Sequence, residues 1–315
     1  MNRRDFLINS ALTTAALGLG LGCTNRSNQM NQPEELFKIS LAEWSLNTLL
    51  FNDEMTNLDF PVLTKQHGID AVEYVNQFFM DKAEDMAYLT ELKNICDSEG
   101  VTSVLIMCDG EGQLGSSVEA ERNQAVDNHK KWVEAAQFLG CHSIRVNGYS
   151  DISWSEDPAD ANEAQRLVAD GMRKLCEFSD AYDINIIIEN HGGFSSNGDW
   201  LVGLMETINH PRAGTLPDFG NFQIHRDENR IVSFDSYEGT DKLMPYATGV
   251  SLKTTVWDHN GNNSPIDYER MMNIVLSHGF HGYVGIEHGE RGRVWDSIVE
   301  IRDTLTELRT SLAAG

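Results

Sequence analysis

The sequence predicts a single (β/α)8 barrel of the α/β class. Three observations carry that expectation. Short apolar runs alternate with longer stretches of helical period, strand then helix, eight times over about 280 residues. No Gly-rich phosphate turn follows the first run, "FKISLAEW" at 37–44, as an open doubly wound sheet would usually show. Several of the apolar runs also stop on carboxylates, amides or imidazoles. That is where barrel strands, packed on both faces along their length, open onto a polar rim.

The strand candidates are 37–44, "IDAVEYV" 69–75, "VTSVLIMC" 101–108, "CHSIRVN" 141–147, "INIIIEN" 184–190, "AGTLPDF" 213–219, "GVSLKTT" 249–255 and "YVGIEH" 283–288. The clearest helical periods lie at 83–99, 117–139, 161–182, 267–278 and 294–312. Gly100 follows the first of these and Tyr182-Asp183 closes the third, as helix stops should. This body spans 37–315, after a polar linker at 23–36.

Residues 1–22 read as a leader, with Arg3-Arg4 before an apolar stretch from Phe6 to Gly22. The twin arginine resembles a Tat signal and Gly22-Cys23 a lipobox. The expectation is export to the periplasm with lipidation of Cys23, so the membrane is met only through that anchor. A transmembrane anchor is the alternative, with the apolar stretch at the short limit. Cys96, Cys108, Cys141 and Cys176 show no CxxC spacing and read as free core thiols.

With 48 Asp and Glu against 24 Lys and Arg, the formal charge is −24. Such a surface repels phosphate backbones, so nucleic acid is excluded as a partner. The expected partner is a small-molecule carbohydrate, and the chain is compatible with a homo-oligomer.

Glu189, Asp218 and Glu287 end strands five, six and eight and so converge on one mouth of the barrel. Three carboxylates there repel one another unless a cation sits among them or protons are shared. A divalent metal satisfies all three, and oxygen-rich ligation suits Mn²⁺ first, with Mg²⁺, Co²⁺ or Zn²⁺ as alternatives. Ser251 and Lys253 end strand seven on one face, because side chains alternate. The same alternation aims His191 into the mouth, and His288 away from it. Trp44, Glu73, Asn76, Asp109, Arg145, Asn147 and Asn221 lie at other strand ends. Each of these, like Ser251, is a candidate substrate contact, open against a polar network within the barrel. "DGEGQLG" reads as a mobile loop over the mouth.

The segments "IIIENHGG", "GTLPDFGNF", "LMPYATGVSLKT" and "HGYVGIEHG" resemble the xylose isomerase-like barrels. That sugar phosphate isomerase/epimerase superfamily also holds ketose epimerases, inosose dehydratases and endonuclease IV. The resemblance covers nearly all of the chain after the linker. It implies that Glu189, Asp218 and Glu287 bind a divalent metal, and that Glu189 and Glu287 act as opposed acid and base. Lys253 keeps its place in the family's "H-x-K" pattern, but Ser251 replaces the usual fourth ligand, a His. The site then uses three carboxylates plus water, or another residue such as His191 or His225 substitutes, or the metal is weak or absent. Asn221 stands where ketose epimerases often carry a His.

The implied activity is a carbohydrate isomerase or epimerase working through an enediolate, with catalysis on Glu189, Glu287, Lys253 and His191. The alternatives are a keto-sugar lyase or dehydratase using the same proton abstraction, or a lipid-anchored sugar-binding protein without catalysis. Phosphodiester hydrolysis needs more histidines and a basic groove.

Overall fold

The computed structural model describes residues 35–314; the leader, Cys23 and the linker up to residue 34 lie outside the described residues. Eight parallel barrel strands follow one another: β1 (Lys38–Ala42), β2 (Ala71–Val75), β3 (Thr102–Met107), β4 (Ser143–Asn147), β5 (Asn185–Glu189), β6 (Ala213–Leu216), β7 (Val250–Leu252) and β8 (Tyr283–Ile286). Each is followed by a helix: α1 (Asp59–Gln66), α2 (Met86–Glu99), α3 (Glu119–Leu139), α4 (Pro158–Ser179), α5 (Gly198–Ile208), α6 (Ser236–Leu243), α7 (Tyr268–Ser277) and α8 (Val294–Ala314). Strands β1 to β6 pair in sequence order, and β1 also pairs with β8, which pairs with β7. Between β6 and β7 the ladder reduces to two bridges, Thr215 to Ala247 and Asp218 to Ser251, which close the ring. No helix among the described residues is long and apolar enough to cross a membrane.

All eight strand candidates became barrel strands. The five clearest helical periods became α2, α3, α4, α7 and α8, while α1, α5 and α6 are short helices of eight to eleven residues that gave weaker periodic signals. Local chemistry sets the helix ends. The Asp85 and Asp157 side chains cap α2 and α4 by accepting backbone N–H bonds, and Gly100 and Gly140 end α2 and α3 in the left-handed region. Two antiparallel hairpins, Gln223–Arg226 with Ile231–Ser233 and Thr255–Trp257 with Asn263–Pro265, extend the loops after β6 and β7.

Alternation sorts each strand's residues. Ile186 and Ile188 join the large apolar core around the strands, while Ile187 joins Leu105, Met107, Val75 and Leu216 in a separate cluster. Each such burial contributes about 1.5–3 kcal/mol. Because the period is two, the residue after Ile188 on Ile187's face is Glu189. Ser251 with Lys253, and Gly285 with Glu287, share faces in the same way. The four described cysteines are buried free thiols, as their spacing suggested.

Candidate active site

Glu189, Asp218 and Glu287 each offer one carboxylate oxygen to a group whose members all lie within 4.8 Å of one another. All three are buried, at 1%, 0% and 8% exposure. Asp218 follows β6 and is held on both sides. Its Oδ1 accepts from the N–H groups of Gly220 at 2.7 Å and Asn221 at 2.9 Å. The Asn190 amide clasps the Asp218 backbone, donating to its carbonyl and accepting from its N–H, both at 2.8 Å. Asn221 Nδ2 then joins Glu189 Oε1, at 3.0 Å, to Asp218 Oδ2, at 3.1 Å.

Two cations approach the cluster. Lys253 Nζ lies 3.1 Å from Asp218 Oδ2 and also contacts Glu287 Oε1. Ser251 Oγ sits between the same pair, 2.9 Å from Glu287 Oε2 and 3.2 Å from Asp218 Oδ2. Arg145 reaches Asp109 with Nη1 at 2.8 Å and Glu189 Oε2 with Nε at 2.9 Å. The second contact is an ion pair by distance but misaligned for a hydrogen bond, so Glu189 Oε2 and Arg145 Nε are both left without a hydrogen-bond partner.

Burial raises the pKa of Asp218 to about 7 against the pull of Lys253, and raises that of Glu189 against the pull of Arg145. Burial also pushes Glu287 up, but the Lys253 ammonium and the Ser251 hydroxyl outweigh it and its pKa ends lowered. Asp109 is lowered likewise, with Arg145 overcoming burial.

Above this floor the mouth divides into two lobes. The first, about 470 Å³, is bordered by His191, Asn221, Lys253, Trp257 and His288; the second, about 400 Å³, by Trp44, Asp109, Arg145, Asn147, Tyr149 and Glu287. His191 lines both. It is not among the three carboxylate ligand residues, and neither is His225, which stacks on Trp154 at 4.6 Å. His191 Nδ1 instead meets Tyr149 Oη at 2.5 Å.

Several expectations change. Glu73 is not at the rim. It sits mid-strand in β2, 1% exposed, and accepts from Ser40 Oγ at 2.6 Å, because strand position sets depth as well as direction. Gly285 makes room for it, since a Cβ there would stand 2.5 Å from both its carboxylate oxygens. Asn76 is fully buried and spends its amide on the Asp109 N–H and carbonyl, both at 2.9 Å, tying the ends of β2 and β3 together. Ser251 is packed beneath the carboxylates rather than lining a lobe. His288 borders the first lobe instead of facing away, because β8 ends at Ile286 and strict alternation ends with it. The "DGEGQLG" loop is anchored: Glu111 is buried, accepting from Trp132 Nε1 at 2.6 Å and pairing with Lys131 at 2.9 Å.

Sequence reasoning passed over Asn190, Tyr149 and Trp257. Asn190 stood beside Glu189 in the sequence, and its zero exposure could be known only from the fold.

Comparison with known proteins agrees with this architecture. The L-ribulose-5-phosphate 3-epimerase UlaE of Escherichia coli is 24% identical over 244 residues, 71% of this chain and 79% of that one. A counterpart from Shigella dysenteriae serotype 1 is 24% identical over 187 residues, and the chain spans 59% of its length. In the crystal structure of the IOLI protein with a binding zinc atom, 99% of that chain and 87% of this one superpose at a TM-score of 0.68 with 13% identity. A xylose isomerase-like TIM barrel protein from Mycobacterium smegmatis in complex with magnesium matches at a TM-score of 0.61 with 17% identity, over 79% of this chain and 86% of that one. The family model described as "Xylose isomerase-like TIM barrel" matches residues 62–310, and the chain belongs to that family.

Proposed function

We propose that this chain is a carbohydrate isomerase or epimerase that moves a proton at a carbon beside a carbonyl, with a divalent cation held by Glu189, Asp218 and Glu287. The observation that carries the proposal is the buried three-carboxylate cluster and its charge. When ionised, Glu189, Asp218, Glu287 and Asp109 pair with two cations among the described residues, Lys253 and Arg145, so the cluster keeps an excess of negative charge. The orphaned Glu189 Oε2 and the all-oxygen donor set fit a hard divalent ion, and we take Mn²⁺ as the first choice. Such an ion, when bound, supplies a Lewis acid that polarises a substrate carbonyl. Similarity to an L-ribulose-5-phosphate 3-epimerase supports the choice of substrate class and reaction.

The chain's own groups divide the proton work. Glu287, in contact with Lys253 and Ser251 just past the end of β8, accepts the proton; Glu189, at the end of β5, delivers one from the opposite side of the cluster. Delivery to the other face of the same carbon gives an epimer, and delivery to the neighbouring carbon an isomer. Lys253 and Arg145 offset negative charge that grows on the substrate oxygens. Asn190 and Asn221 hold Asp218 and Glu189 in register. Export and lipidation of Cys23 belong to the same proposal, supported by Arg3-Arg4 and Gly22-Cys23 alone.

The test combines elemental analysis with solvent-deuterium exchange. About one equivalent of divalent metal is expected on the purified chain, lost in a Glu189→Gln/Asp218→Asn variant, together with metal-dependent uptake of deuterium into a keto-sugar. Failure to take up Mn²⁺, Co²⁺ or Zn²⁺ on reconstitution would sink the metal-assisted reading.

A further inference from the structure

The shape of the mouth says more about the substrate, given the carbohydrate chemistry proposed above. Its two lobes meet at His191, and each reaches the reacting centre: Lys253 borders the first and Glu287 the second. Volumes of about 470 and 400 Å³ place either lobe within the roughly 300–1,000 Å³ that encloses a drug-sized ligand. A single sugar ring seated at the carboxylates fills part of one lobe and leaves the other to water.

Both lobes have an aromatic wall. In the first, Trp257 is fixed by its Nε1–H donating to the Gly220 carbonyl at 2.9 Å. At the second, Trp44 is braced by Phe51 edge-on at 6.0 Å and by Phe78 at 6.1 Å, and those two phenyl rings lie 5.2 Å apart. Phe51 is 59% exposed and lines neither lobe; it acts on the second through Trp44, whose ring it braces. Flat apolar faces beside polar groups suit the C–H face of a sugar ring.

Charge narrows the ligand further. Among the described residues lining the two lobes, the Lys and Arg side chains are Lys253 and Arg145. Lys253 is already shared by Asp218 and Glu287, and Arg145 by Asp109 and Glu189. A phosphate group carrying about −1.5 to −2 charge would enter without a free cation to meet it.

We propose that the mouth takes an uncharged two-ring sugar, a glycoside of disaccharide size, with one ring in each lobe and the glycosidic link beside His191. The ring that reacts lies over the carboxylate cluster, and the other stacks on an aromatic wall. A sugar phosphate, the substrate class of the E. coli relative by its name, is disfavoured here.

Calorimetric titration of the Mg²⁺-loaded protein tests this with cellobiose, maltose and lactose, with glucose and galactose, and with glucose 6-phosphate and fructose 6-phosphate. At least one disaccharide is expected to bind tenfold or more tightly than its component monosaccharides, and the phosphates more weakly than the free sugars. Phe51→Ala should weaken the disaccharide three- to tenfold, and Phe51→Tyr should retain it. A monosaccharide or sugar phosphate that binds as tightly as every disaccharide overturns the inference, as does absence of disaccharide binding. Neither result touches the isomerase reading. Conversely, tight disaccharide binding with no metal-dependent deuterium exchange into any keto-sugar supports the two-ring site and overturns the proposed reaction.

Discussion

Replacing Lys253 by methionine removes the cation that Asp218 and Glu287 share while keeping most of its apolar stem. At the observed 3.1 Å, one such pair is worth about 5 kcal/mol at an effective dielectric constant of 20. Desolvation offsets part of that, and stripping one partner from a buried pair costs about 3–5 kcal/mol. For a barrel of this size, at about 2.1 cal/mol/K of unfolding entropy per residue, the loss corresponds to a fall in Tm of roughly 5–8 °C. The assay is thermal unfolding in a chelator at pH 8, where the carboxylates are most fully ionised, then again with Mn²⁺ added. In the unsubstituted protein the ion must share both carboxylates with the Lys253 ammonium, which repels it; saturation to a hundred times Kd then gives about 2.7 kcal/mol. In Lys253→Met that competitor is gone, and the metal-induced rise in Tm should be the larger of the two. A Tm within about 1 °C of the parent in chelator, or equal gains with metal in both proteins, would refute the charge-balance reasoning behind the site.

Asn190→Ala removes both bonds that clasp the Asp218 backbone and should lower stability by about 1–3 kcal/mol, read by urea denaturation. It should also reduce divalent-metal affinity, because Asp218 is no longer held between β5 and β6. Glu43, whose carboxylate accepts from Val75 N–H and Asn57 Nδ2, has its pKa raised by burial to about 8. The folded state therefore holds that proton more tightly than the unfolded chain. Its contribution is whole below pH 4.5 and is lost as pH rises through 8, at up to about 1.4 kcal/mol per pH unit in between. Glu43→Gln should flatten that part of the stability profile, and an unchanged slope would show that Glu43 titrates normally. Ser251→His places an imidazole beside Asp218 and Glu287, and should tighten Zn²⁺ binding at least tenfold in competition with a chromogenic chelator.

The amino-acid sequence by itself determined the barrel and the identity of its carboxylates. Eight apolar runs separated by helical periods leave few ways to bury both faces of every strand, and closure into a ring is the one this chain takes. The period of two along β5 puts Glu189 on the face of Ile187, and the same rule pairs Ser251 with Lys253, so the direction of each side chain was legible from spacing. Depth was not. Glu73 and Arg145 both point inward, yet Glu73 stays a layer below the mouth while Arg145 reaches Glu189, because strand stagger around the ring sets height. Nor was pairing across strands legible. Asn76 binds Asp109 and Asn190 binds Asp218, contacts 33 and 28 residues apart that exist only once neighbouring strands lie side by side. The two-lobed mouth comes from His191, Lys253 and Glu287 meeting at the junction of three loops. Periodicity is a property of one strand, whereas a cavity belongs to the space between several, and only the closed barrel decides its shape.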